Sequence, residues 1–440
     1  MKTSTIITTI SLLRIIQALA IPFRDTANGE QKKYVSLKAT KKLREHEPGF
    51  SLKRRQLSPE PSEEDELSFS ADYRGSYYST ELLVGSEQEP VLVDIDTGSS
   101  DLWLNAYNNE NCNIEFTCPS EFTYNYDESE TYKFEANDFG IKYADEAYAI
   151  GNWVTDDVTF DNFTIENFRF GLANQSSISR NILGIGLQTL EVSSEEYLNF
   201  PYRLASEGAI NKACYSVFLQ EEYYNDSSIL FGAIDTSKYV GQLYTLPMVE
   251  TDEVGLINRL AVTLSSISAM SGNESTFLDG PETIVSEKSA VLFDSGTTYT
   301  HLPSSYVDAI ANYYGMDTYE GNMSDSQYQY PCSDLSEDQI IGFDFQGVLL
   351  TYPLETFMES LDHETCVFTI RYQGSASSAI FGDEALQGIY YVADLEEKEI
   401  SMAAVNPLYG FREPDIQIIT DQVPGAIKAP HYSKKYTMSS

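Results

Sequence analysis

One passage is written twice in this chain. Val91-Leu92-Val93-Asp94-Ile95-Asp96-Thr97-Gly98-Ser99-Ser100 is answered by Ala290-Val291-Leu292-Phe293-Asp294-Ser295-Gly296-Thr297-Thr298. Each is an apolar strand running into Asp-Thr/Ser-Gly and then two hydroxyl residues. A second pair follows in the same order, Ile182-Leu183-Gly184 in the first half and Ile380-Phe381-Gly382 in the second. A single Asp-Ser/Thr-Gly tripeptide arises by accident in roughly a fifth of chains this long, so the matched flanks carry the inference. A repeat on this scale implies duplicated lobes rather than one oversized domain.

The pattern around the repeats is strand-dominated. Residues 158–170 alternate apolar and polar side chains, which predicts a half-buried strand. Helices are few: one over Ser304 to Tyr314, with Gly315 as its stop, and a short one from Pro201 that ends by Gly208. Aromatic residues make up 12% of the chain, with 31 Tyr, which suits a β-rich fold. The expected architecture is mainly β, with an N-terminal lobe over 68–245, a C-terminal lobe over 246–410 and short helices outside.

The ends read as a secretion itinerary. Residues 1–20 have a basic start, an apolar stretch and a small-residue ending at Ala18-Leu19-Ala20, the layout of a signal peptide. Residues 21–55 hold 10 basic and 4 acidic side chains and end in Lys53-Arg54-Arg55. From residue 56 onward there are 16 basic and 63 acidic side chains, so a leader of net +6 precedes a body of net −47. That asymmetry predicts a basic propeptide docked on the body and cut at Arg54 or Arg55 by a processing protease that reads basic residues. The acidic linker 56–67 would keep the cut exposed. Residues 411–440 are polar and mildly basic, and are expected to be a loose tail with no lipid-anchor signal. The product is expected to be secreted and monomeric.

The body is too acidic for nucleic acid, since it would repel phosphates. Of five cysteines, Cys112 and Cys118 enclose a short loop and Cys332 and Cys366 a longer one, while Cys214 sits in a strand-like run as a buried free thiol. Five glycosylation sequons occur, at Asn162, Asn174, Asn225, Asn273 and Asn322. The four His make no metal-ligand pattern and no phosphate-cradling Gly loop exists, so neither a metal nor another cofactor is expected.

Two Asp-Thr/Ser-Gly loops brought face to face would put two carboxylates together. Like charges that close cannot both ionise, so the pair shares a proton. One oxygen then serves as base toward a water while the other carboxyl donates to a carbonyl.

These motifs make the chain resemble the pepsin-type aspartic peptidases over nearly all of residues 68–410. The matching stretches are Asp96–Trp103 (DTGSSDLW), Ile182–Gly186 (ILGIG), Asp294–Thr298 (DSGTT) and Ile380–Asp383 (IFGD). Within that family it is most similar to the fungal yapsins and candidapepsins, through Phe231–Asp235 before Lys238-Tyr239 and through Asp294–Pro303. The resemblance implies a bilobal fold with a pseudo-two-fold axis, a secreted zymogen inhibited by its own propeptide, and peptide or protein substrates. It makes Asp96 and Asp294 the catalytic pair. Thr97, Gly98, Ser99, Ser295, Gly296 and Thr297 become their support, with Ser99 and Thr297 on the outer carboxylate oxygens and Gly98 and Gly296 as backbone donors. It makes Tyr143 the tyrosine of a mobile flap, Trp103 its partner, and Cys112–Cys118 and Cys332–Cys366 the lobe disulfides.

The flap tip departs from the family's usual glycine: Asp145-Glu146-Ala147-Tyr148-Ala149 has none until Gly151. Asp145, two places after Tyr143, matches an acidic residue that in fungal relatives greets a basic side chain before the scissile bond. Cleavage after Lys or Arg at acid pH is therefore expected. The alternatives are a narrow-specificity peptidase of the pheromone-barrier type and a non-catalytic pepsin-fold binding protein; both Asp loops being intact speaks against the second.

Overall fold

A computed structural model describes residues 33–43, 76–111, 118, 122–144, 146–161, 163–220, 227–251, 255–271, 281–321, 326–373 and 378–437. The signal, the 56–67 linker, the Arg54–Arg55 cut, Cys112, Asp145 and the sequons at Asn162, Asn225, Asn273 and Asn322 lie outside these residues. Asn174 lies inside them, half-buried in the strand Phe163–Ser176.

The chain is mainly β, in several sheets. The apolar run of each repeat becomes the central strand of its lobe. Glu89–Asp96 lies between antiparallel Ser76–Val84 and parallel Asn181–Gly184. Ser289–Phe293 lies between antiparallel Ala261–Leu264 and parallel Ser378–Phe381. The strand carrying the second motif pairs antiparallel with the strand that follows each Asp loop, Leu102–Ala106 in one lobe and His301–Pro303 in the other. Those strands each take a further parallel partner, Phe163–Ser176 and Arg371–Gln373. One topology thus occurs twice in one order. Strands covered on both faces read as unbroken apolar runs, and Val93, Ile95, Leu183, Val291, Phe293 and Phe381 are all buried.

The sheet that carries Glu89–Asp96 extends across to join the halves. Its strands run in the order Tyr239–Pro247, Glu399–Val405, Ile389–Asp394, Cys214–Phe218, Ser227–Phe231 and Val35–Leu43, and the last continues onto Ser76–Val84. One face, with Tyr215, Val217 and Tyr391, belongs to the main core. The other holds Cys214, Phe218, Leu243, Tyr390, Val392 and Ala403 in a core of its own.

That second face is covered by the C-terminal segment, which pairs with sheet edges and packs into the core, contrary to the expectation of a loose tail. Ile416–Ile418 pairs with Ala233–Asp235, and Ile427–Lys428 pairs with Tyr239–Pro247. Ile419 is fully buried, with Val423 and Ala426 packed beside it. Lys212 donates to the Asp421 carbonyl at 3.2 Å and Gln346 donates to the carbonyls of His431 and Tyr432. Composition hid this because a strap of few apolar residues can satisfy its backbone on sheet edges.

Two local expectations meet different outcomes. Residues 158–170 are not one strand: they span the hairpin between Tyr148–Phe160 and Phe163–Ser176, where Phe160 pairs with Phe163 and Asp161 turns the chain at φ 41°. The alternation continues because both arms bury the same face. The helix Ser304–Tyr314 forms as read, ended by Gly315 at φ 71°, and the shorter helix is Phe200–Ser206. Cys214 is a buried free thiol, its pKa pushed up to about 12 chiefly by burial. Cys332 is bonded to Cys366, and Cys118 is disulfide-bonded.

The strap predicts its own assay. Removal of residues 412–440 should lower Tm and make Cys214 reactive toward a thiol reagent in the folded protein. Labelling as slow as in the intact chain would contradict the covering role.

Candidate active site

The two Asp loops meet between the lobes through backbone and side chains that exchange partners. The Thr97 N–H donates to Ser295 Oγ at 3.1 Å, and the Ser295 N–H donates to Thr97 Oγ1 at 3.0 Å. Each hydroxyl then donates across the interface to the carbonyl before the other loop's Asp, Thr97 to Phe293 and Ser295 to Ile95, both at 2.9 Å. All four groups are buried, so each exchanged bond also prevents an unsatisfied polar atom.

The exchange sets the carboxyls side by side. Asp96 accepts from the Gly98 N–H at 2.8 Å and from the Ser99 hydroxyl, and Asp294 accepts from the Gly296 N–H at 2.9 Å and the Thr297 hydroxyl at 2.8 Å. The two carboxyl groups converge on one spot: a Cβ on Gly296 would lie 2.7 Å from Asp96 Oδ1 and 3.2 Å from Asp294 Oδ1. Glycine is required at both turns by space: a Cβ on Gly98 would stand 2.6 Å from an Asp294 carboxyl oxygen, and one on Gly296 would stand 2.7 Å from Asp96 Oδ1. Burial first, and then the negative charge of Asp294, raises the Asp96 carboxyl to about 7. The proton concerned belongs to the pair.

The second repeat motif explains itself here. Gly184 and Gly382 lie where strands run alongside the Asp loops. A Cβ on Gly184 would meet the backbone nitrogens of Ser100 and Asp101 at 2.6 Å, and one on Gly382 would meet the Tyr299 carbonyl oxygen at 2.5 Å.

Over the site lies the hairpin of Lys133–Lys142 and Tyr148–Phe160. Tyr143 stands at its tip, and its hydroxyl accepts from Trp103 Nε1 at 2.8 Å and reaches Ser99. Burial and the nearby Asp96 hold that hydroxyl well above the ordinary tyrosine range. The tip turns without glycine by placing Glu146 at φ 70°, and Tyr143 N–H bonds the Ala147 carbonyl at 2.8 Å. An exposed ion pair of Lys142 with Glu146 adds little.

The sequence reading placed Thr97 and Ser295 in the support set without seeing their exchange, for which the repeat itself was the signal. It missed Glu384, next to the second motif, which accepts from the Thr300 N–H at 2.8 Å and the Thr369 hydroxyl at 2.6 Å behind the Asp294 loop. It also missed Arg259, whose Nη1 donates to the Gly98 carbonyl at 3.2 Å. Nothing in the local sequence around Arg259 announces that contact.

Comparison with known proteins gives the family. Residues 77–405 match the family model of the eukaryotic aspartyl protease. The chain is 34% identical to aspartic proteinase yapsin-3 of Saccharomyces cerevisiae over 82% of this chain and 72% of the relative. It is 35% identical to candidapepsin of Candida tropicalis over 75% and 79%, and 32% identical to the probable aspartic-type endopeptidase opsB of Aspergillus oryzae over 81% and 74%. The chain belongs to the eukaryotic aspartyl proteases. It is an aspartic-type endopeptidase of the pepsin family, acting on peptide or protein substrates. Among the described residues no helix is long and apolar enough to cross a membrane.

The buried carboxyls set a pH dependence. Burial raises Asp96 and Glu384 each to about 7 and Glu191 to about 8. Unfolded carboxyls titrate near 4, so between about pH 4 and these values the folded chain holds more protons than the unfolded one. Stability therefore falls as pH rises through that window. Tm should decline from pH 4.5 to 8, and a Tm that rises over that range would contradict the assignment.

Proposed function

We propose that Asp96 and Asp294 hydrolyse peptide bonds by general acid–base catalysis with one shared proton, as is known for aspartic-protease dyads. The observation that carries this reading is the convergence of the two carboxyls at Gly98 and Gly296, each held by its own glycine N–H and hydroxyl. The ionised half takes a proton from water as the water oxygen attacks the scissile carbonyl carbon. The protonated half gives its proton to the carbonyl oxygen, forming a neutral gem-diol. Collapse breaks the C–N bond and delivers a proton to the leaving amine. Tyr143, held by Trp103, closes over the substrate and keeps water out. An acid optimum follows, because the pair must keep one proton and its upper limit lies at about 7.

We read residues 1–20 as a secretion signal, 21–55 as a propeptide and the remainder as the two lobes and strap of a secreted protein. Support for the propeptide comes from Val35–Leu43, which pairs with Ser227–Phe231 on one side and Ser76–Val84 on the other. Lys41 lies 2.7 Å from buried Asp383, which also accepts from the Tyr78 hydroxyl. A cut at Arg54–Arg55 therefore leaves the leader held in the sheet by its strand pairing and by the Lys41–Asp383 ion pair, so release needs more than the cut. The acidic flap tip, with Asp145 and Glu146, supports a preference for Lys or Arg before the scissile bond.

The test is cleavage by the processed protein across pH 3 to 7 of two unstructured peptides, one with Lys-Arg and one with Phe-Phe at its centre. The expected result is acid-dependent cutting with the Lys-Arg peptide preferred, and loss of at least about 1,000-fold in kcat for Asp294→Asn. Segment 21–55 should co-purify at pH 7 and elute separately at pH 4. Cutting that survives Asp294→Asn would overturn the dyad, and preference for Phe-Phe would overturn the acidic-flap reading.

A further inference from the structure

In a chain with 67 acidic side chains, arginines find carboxylates easily. Arg169 meets Glu135 and Glu195, Arg180 meets Asp94, and Arg203 meets Glu207. Arg259 meets none of the described carboxylates. The one hydrogen-bond partner of its side chain among the described residues is the Gly98 carbonyl, and the residue is only half-buried. Among the described residues, most of its five donors are thus uncommitted.

Its position is fixed from both lobes. Arg259 precedes the strand Ala261–Leu264, and the next residue, Leu260, is fully buried and accepts from the Phe293 N–H at 2.9 Å, immediately before Asp294. The guanidinium crosses to Gly98, whose own N–H holds Asp96 and whose Cα faces the Asp294 carboxyl. The cation is therefore bonded to the residue two places after Asp96, on the loop that holds that carboxyl. An extended peptide advances about 3.3 Å per residue, so side chains next to the scissile bond pass within its reach.

We propose that Arg259 is a specificity-determining residue that recognises a carboxylate side chain on the peptide substrate, within two residues of the scissile bond. The inference rests on the dyad reading above and adds a second charge preference to the cleft. The planar guanidinium offers paired N–H groups that match a carboxylate, which a neutral amide of the same shape cannot use as well. The acidic flap tip and Arg259 then sort a substrate by sign: a basic side chain toward Glu146 and an acidic one toward Arg259. The contact with Gly98 gives the guanidinium a resting partner when no carboxylate is present.

The alternative role for Arg259 is purely positional, as a strut for the Gly98 loop. The two differ in what they do to substrates and to pH. The experiment measures kcat/KM for peptides cut at one bond, identical except for Glu or Gln placed in turn at each of the two positions on either side. Wild type and Arg259→Gln are compared at pH 5.5 and pH 3.0. The expected result is one position where wild type prefers Glu over Gln by about tenfold at pH 5.5, with the preference lost at pH 3.0 as the substrate carboxyl protonates. Arg259→Gln should erase the preference at pH 5.5 while cutting the Gln peptide within about threefold of wild type.

A wild type with no Glu preference at any position overturns the proposal, as does a preference that survives Arg259→Gln. An equal fall for both peptides also overturns it, and assigns Arg259 the strut role. In each of those cases wild type still cuts peptides and the dyad stands. Failure of wild type to cut any peptide removes the dyad reading and this inference together.

Discussion

The site depends on a pair of loops that hold each other rather than on either loop alone. Thr97 and Ser295 each spend their backbone N–H and their hydroxyl on the opposite lobe. Neither buried loop is satisfied by its own lobe, so the carboxyls come together only when both lobes are assembled. That proximity, in turn, is what the proposed sharing of one proton requires. Function here is a property of an interface, and the duplicated topology is the means of building it symmetrically.

Space enforces the same design. Gly98 and Gly296 admit the opposite carboxylate, while Gly184 and Gly382 admit the adjoining loop backbone. Four glycines, two in each half, thus mark the four closest approaches in the site. Around this centre the environment is asymmetric. The flap covers it from the N-terminal half through Tyr143 and Trp103, and Arg259 reaches it from the C-terminal half. The sheet shared by the halves runs on through Val35–Leu43 to Ser76–Val84, and the strap covers its other face through Ile419.

Much of this was legible because its causes are local. A turn needing close approach writes glycine, a strand covered on both faces writes an apolar run, and duplication writes both twice. The helix at Ser304–Tyr314 was equally readable from its apolar spacing and its glycine stop. What escaped reading was non-local. Residues 158–170 kept their alternation through a hairpin, so periodicity alone could not find the turn at Asp161. The polar tail folds because sheet edges and buried Lys212 and Gln346 await it, and those partners lie far away in sequence. Arg259 joins a carbonyl 161 residues distant and bears no motif.

The claim that the two loops act as one unit is open to a direct measurement: kcat/KM for Thr97→Val, Ser295→Ala and the double variant, taken as a cycle. Loops that hold each other should give a coupling above about 1 kcal/mol, the second substitution costing far less than it does alone. Costs that add within about 0.5 kcal/mol would mean that each loop keeps its shape without the other, and would contradict a mutually supported pair.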